Sequence, residues 1–119
     1  MKRLTLWMGI FILCLTLAGV SHAAKYYVDI QEGNDGYNGL YATDLGDGIN
    51  GPKHTINNAI TAASPGDDIS IAYANGNRYP DVVVNKNLNF MVTNPALGMP
   101  LIKTWRSTSA HSITNPLKI

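Results

Sequence analysis

Residues 31–53, "QEGNDGYNGLYATDLGDGINGPK", put Asp35, Asp44 and Asp47 with Asn34 in one glycine-rich segment. Carboxylate and amide oxygens are the ligands that calcium takes. These acids do not follow the alternating acidic spacing of a compact calcium loop. Short polar side chains among glycines also build tight turns without any ion. Calcium is therefore an expectation whose role would be to order the loop, and no other cofactor is expected. A second chemistry is offered by Tyr73, Tyr79 and Trp105, whose flat rings can stack on sugars and present a polar edge. The alternative for each ring is packing inside the fold. Asp67 and Asp68 adjoin, but they sit at a helix-to-strand junction, where carboxylates accept backbone N–H groups. Asp81, Lys86, Lys103 and Arg106 are scattered and read as solvated, and His54 and His111 have no partner in sequence and no cysteine to act with, since residues 24–119 contain none. No triad, phosphate loop or zinc spacing occurs, so no catalytic residue is assigned.

These residues depend on the elements that hold them. Lys2 and Arg3 precede an uncharged, mostly apolar run over residues 4–20, followed by Ser21-His22-Ala23. That order is a secretory signal peptide, residues 1–23, which implies an exported protein, secreted or at the cell surface. The run lies at the short limit for crossing a bilayer, so no membrane contact is expected after cleavage. Cys14, the only cysteine, falls inside the run, so residues 24–119 must fold without a disulfide. Without Lys2 and Arg3 the nine basic residues become seven, against eight acidic. A net charge near minus one excludes the basic surface that a nucleic-acid partner requires.

The mature chain reads as strands and turns. Lys25 to Ile30 is mostly β-branched and aromatic and reads as a strand. The glycine-rich segment that follows is longer than an ordinary connection. In "TINNAITAASPGDDISIAYANGNRY", residues 55–79, Thr55 is placed to cap a helix whose apolar positions Ile56, Ala59, Ile60 and Ala63 form one stripe. Pro65-Gly66 ends it. A helix this short has to lie on an apolar surface. Period-two alternation then begins at Ile69, Ile71 and Tyr73, and short strands follow at Val82 to Val84, Leu88 to Val92 and Leu101-Ile102. Ile113, Leu117 and Ile119 suggest one more. Ile71 and Phe90 lie 19 positions apart, as do Val83 and Ile102, and a step near 20 residues fits one coil of a β-solenoid.

"YYVDIQEGNDGYNGL" and "GPKHTINNAITAASPGDDISIAYANGNRYPDVVVNKNLNFMVT" resemble the N-terminal region of secreted proteins of the pectin-lyase-like superfamily. The resemblance covers residues 26 to about 93. It implies an all-β fold, a right-handed parallel β-helix, in which the short helix covers the first of two to three coils. It also implies that residues 24–119 are the truncated start of a longer domain. His54 departs from the usual Pro-Phe-Lys-Thr-Ile helix start. The implied function is a capping segment of an exported, carbohydrate-associated protein with no complete active site here. The alternatives are a fragment of a polysaccharide lyase or hydrolase, or a non-catalytic adhesin or scaffold. The partners expected are a polysaccharide, and further coils or a second copy at the uncapped C-terminal end.

Overall fold

In the computed structural model, residues 22–108 are described in full and 111–113 by their backbone. The expected signal peptide, apart from His22 and Ala23, lies outside the described residues, as do Cys14, Leu117 and Ile119.

The strands are β1 (Lys25–Val28), β2 (Asp68–Ile71), β3 (Arg78–Tyr79), β4 (Val82–Val84), β5 (Leu88–Val92), β6 (Leu101–Ile102), β7 (Trp105–Ser107) and β8 (His111–Ile113). One α-helix, α1 (Ile56–Ala62), precedes β2, and a 3-10 turn (Pro95–Leu97) precedes β6. β-Branched and aromatic residues supply most strand positions, and glycine, proline or asparagine stands at most corners. All the pairings among the described residues are parallel. The order β1-β2-β5-β8 makes a four-stranded sheet, and β3-β6 and β4-β7 make two-stranded ones.

This arrangement corrects the expected fold. Three separate small sheets are present among the described residues, none closed and none solenoid-like, so the right-handed parallel β-helix is not shown. The spacing of 19 is also not the pairing register. Ile71 faces Val92, Phe90 faces Ile69, Val83 faces Arg106 and Ile102 faces Tyr79. Two equal spacings between apolar residues arose because alternation repeats within every strand, without those residues being paired directly. The strand begun at Ile69 stops at Ile71, and Tyr73 lies beyond it. The strands at Arg78–Tyr79 and Trp105–Ser107 have two and three residues, too few for a period to register.

The core joins helix and sheets. Ile56, Ala59, Ile60 and Ala63 pack with Val28, Ile69, Ile71, Val82, Val84, Leu88, Phe90 and Ile102 in a single buried cluster. Thr55 precedes α1 with extended backbone, and its Oγ1 accepts the Asn58 N–H at 3.3 Å. At seven residues α1 cannot hold itself together, so its buried stripe is what keeps it helical.

Two devices close exposed strand edges, which otherwise invite pairing with other chains. The 31–53 loop runs along the outer edge of β1: Tyr27 N–H donates to the Gly39 carbonyl, Asp29 N–H to Lys53 and Lys53 N–H to Tyr27, at 2.7–2.9 Å. At Gly33 this packing is so close that a Cβ would collide with the carbonyl oxygens of Asp29 and Lys53. On the other side of the core, the Asn57 side chain of α1 donates to the Asp81 carbonyl (2.7 Å) and accepts the Val83 N–H (3.0 Å). One amide thus takes the place of a neighbouring strand on β4.

Candidate functional site

The strands β1, β2 and β5 run parallel, so their C-terminal ends emerge side by side. An open groove of about 450 Å³ lies there. Asp29 and Gln31 line it from beyond β1, Ala72, Tyr73 and Asn75 from beyond β2, and Thr93, Asn94 and Leu97 from beyond β5. Ala42 and Thr43 of the long loop form the remaining wall. The parallel register therefore converts three loops that are distant in sequence into one surface.

The polar groups of this surface are only partly used by the fold. Asp29 accepts the N–H groups of Gln31 (2.8 Å) and Glu32 (3.2 Å) through one oxygen, Oδ1. Asn94 accepts the Ala96 N–H through Oδ1 at 3.2 Å, which caps the 3-10 turn. Thr93 shares a hydrogen bond with Ser70 at 2.9 Å. Remaining donors and acceptors on amides and hydroxyls stand beside the half-buried Tyr73 ring, the exposed Leu97 and Ala72. The position of Tyr73 is set by Gly98: a Cβ there would lie 3.0–3.1 Å from Cε2 and Cδ2 of the ring, and its φ of 132° suits only glycine. Asp29 is the one carboxylate among the lining residues, and no Lys, Arg or His lines the groove.

The three rings expected to meet sugars are not brought together. Tyr73 lies in the groove. Tyr79 is fully buried, so no face of it is open to a ligand. Its hydroxyl donates to the Ala72 carbonyl at 2.9 Å and accepts the Ile30 N–H at 3.2 Å, fastening the ends of β1 and β2 to β3. Burial holds this phenol well above its ordinary pKa, an effect the Ile30 N–H opposes and Asp29 reinforces. Trp105 is half-buried and meets Phe90 edge to face, with centroids 4.8 Å apart. Both follow from strand registers that the sequence pattern missed.

The three acids of the loop also do not converge. Asp35 Oδ1 accepts the N–H groups of His54 (3.0 Å) and Thr55 (2.9 Å), and Lys53 Nζ donates to the Asp35 carbonyl at 2.9 Å. Asp44 accepts the Tyr37 hydroxyl at 2.8 Å, which raises the Tyr37 pKa, and the Gly46 N–H at 2.8 Å. Asp47 accepts the N–H groups of Asn50 (2.7 Å) and Ile49 (2.9 Å), and these bonds lower its pKa. Among the described residues no group of three or more His, Cys, Asp or Glu side chains is placed to hold a metal ion. Asp44 and Asp47 each hold a turn, and Asp35 ties the loop to the start of α1.

Two charged residues have structural roles. Asp67 is buried and accepts the N–H groups of Ser64 (2.8 Å) and Ala24 (2.9 Å). Lys86 was expected in solvent, yet its ammonium donates to the carbonyls of Ile60 (2.8 Å), Thr61 (3.2 Å) and Ala63 (2.7 Å). Cations favour helix C-termini because carbonyls there lack partners. Arg106 and Lys103 are exposed, as are Asp81 and His54.

Comparison with known proteins adds no identity: no family model, no curated protein and no solved structure matches this chain.

Proposed function

We propose that this is an exported, carbohydrate-associated protein without a complete active site of its own in this chain, and that the groove beyond β1, β2 and β5 binds a neutral glycan. The observation that carries the reading is the Tyr73 ring, held by Gly98 in a groove lined with amides and hydroxyls. Sugar rings pair apolar C–H faces with a rim of hydroxyls, and an aromatic face with neighbouring amides matches both. The lining charges favour neutral over acidic sugars, since a carboxylate without a cation repels a uronate. The basic-apolar-small order of residues 1–23 supports export. The resemblance of the opening strand, loop and helix start to the pectin-lyase-like superfamily supports a carbohydrate, although that superfamily includes enzymes and inert adhesins alike.

Titration calorimetry with neutral oligosaccharides and with oligogalacturonate tests the reading. The expected result is saturable binding of a neutral oligosaccharide, weaker binding of the acidic one, and about a tenfold loss of affinity in Tyr73→Ala, equal to ~1.4 kcal/mol. Tyr73→Phe should retain most of the affinity. Absence of neutral-sugar binding, or equal binding by Tyr73→Ala, would remove the proposal.

A further inference from the structure

The chain contains three Asn-Gly pairs, Asn38-Gly39, Asn50-Gly51 and Asn75-Gly76, and the structure treats them differently. Asn-Gly is the dipeptide most open to spontaneous succinimide formation, because glycine puts no side chain in the path of its own amide nitrogen. Whether the reaction proceeds in a folded protein depends on whether the amide can reach that nitrogen.

Two of the pairs are restrained. The Asn38 amide donates to Asn50 Oδ1 at 2.5 Å and its own Oδ1 accepts the Leu40 N–H at 3.0 Å. Gly39 N–H, the nucleophile of that pair, is buried and donates to the Gly51 carbonyl at 3.0 Å. The Asn50 amide is held at both ends, accepting from Asn38 and donating to Asp47 Oδ2 at 2.5 Å. Gly51 is buried against the Tyr37 ring, whose Cδ2 lies 2.5 Å from where a Cβ would stand.

Asn75 and Gly76 are both exposed. They are the central residues of a turn closed by the Asn77 N–H on the Ala74 carbonyl at 2.9 Å, with positive φ at each, 46° and 86°. The Asn75 amide has no hydrogen bond among the described residues, and the Gly76 N–H donates none. Nothing lies within 4 Å of a Cβ built on Gly76, so no other element packs against this turn at the glycine.

We infer that Asn75 is the site at which this protein spontaneously deamidates, ahead of Asn38 and Asn50. The Gly76 amide nitrogen, after losing its proton to solvent, attacks Asn75 Cγ. The Cγ–N bond of the side-chain amide breaks and ammonia leaves, giving a five-membered succinimide. Water then opens the ring at either carbonyl to aspartate or isoaspartate. The net change is gain of water and loss of ammonia, with no oxidation or reduction. One negative charge is added at a position that lines the same groove as Asp29. The isoaspartate product also lengthens the backbone by one carbon between β2 and β3.

The test is incubation of the purified folded protein at physiological temperature in mildly alkaline buffer, with a parallel sample in urea, followed by peptide mapping and isoaspartate detection. In the folded sample conversion at Asn75 should run several-fold faster than at Asn38 or Asn50. In urea the three rates should draw together, because the restraints are lost. Faster conversion at Asn38 or Asn50 in the folded protein would overturn the inference. So would an intact Asn75 over a period that converts it fully in urea, or the same rate ratios among the three sites in both samples.

Discussion

Two grooves flank the core, and they differ in what their polar groups do. Beside α1 and β4, about 380 Å³ is lined by Asn57, Ile60, Thr61, Val83, Asn85 and Lys86. There the Lys86 ammonium is bound to three carbonyls at the end of α1, and the Asn57 amide is bound to one edge of β4 through Asp81 and Val83. Beyond β1, β2 and β5 the amides of Gln31, Asn75 and Asn94 keep free groups next to Tyr73. The first groove is closed chemistry, in which polar side chains complete secondary structure. The second is open, with polar side chains whose donors and acceptors the fold uses only in part. Composition would not separate them, since both are rich in asparagine. The distinction is whether a backbone group nearby lacks a partner that the side chain then supplies.

The largest effect that sharpens this contrast is expected at Tyr79, which has the sequence credentials of a sugar-binding ring but sits in the closed category. Tyr79→Phe keeps the ring and removes the hydroxyl, leaving the Ala72 carbonyl and Ile30 N–H without their partner. A loss of about 2 kcal/mol is expected from a buried unsatisfied pair. Urea denaturation checks it. If the variant kept full stability but lost glycan affinity, the assignments of Tyr79 and Tyr73 would have to be exchanged.

Smaller losses are expected across the α1–β4 groove. Lys86→Met keeps the stem and removes the ammonium, so three helix carbonyls lose a charged donor, at a cost of about 1–2 kcal/mol. Asn57→Ala reopens the edge of β4 and should cost about 1 kcal/mol. In both variants neutral-glycan affinity should stay within about twofold of the unmodified protein, well under 1.4 kcal/mol. A drop in affinity without a drop in stability would mean that this groove, too, meets a ligand.

Much of the local structure was legible. The Thr55 cap, the α1 stripe and the strands at Val82–Val84, Leu88–Val92 and Leu101–Ile102 follow from residue type and spacing. Pairing was not, because register depends on corners of unequal length: the offset is 21 between Ile69 and Phe90 and 23 between Tyr79 and Ile102. Alternation alone therefore gave pairs that are not register partners. The candidate groove was legible only through Tyr73. Asn75, Asn94 and Gln31 carry no motif and become a site because parallel strands end together. The capping role of Lys86 was also hidden, since a lysine 23 residues beyond the helix end it serves has no local signature. One signal was present for the loop acids: Asp44-x-Gly46 and Asp47-x-Ile49 each place the carboxylate two residues before the N–H it accepts, the spacing of an Asx turn.

The smallest expected effect concerns that loop and decides whether its acids are closed chemistry as well. The Asn50 and Ile49 N–H groups stabilise the ionised Asp47 carboxylate and lower its pKa in the folded state. The sign follows: a lowered folded pKa means the stabilisation is present above the unfolded carboxylate value and is lost as pH falls through the folded one. Because Asp47 is exposed, solvent screens the effect and global stability should barely change. The amide resonances of Ile49 and Asn50 should instead shift together with one titration whose midpoint lies below that of an ordinary aspartate. Asp47→Asn should abolish the titration and leave the resonances of the β2 strand unmoved. Added calcium should shift none of these amides at neutral pH; a saturable calcium shift centred on Asp44 and Asp47 would return the loop to the open category, as a site whose turn bonds yield to an ion.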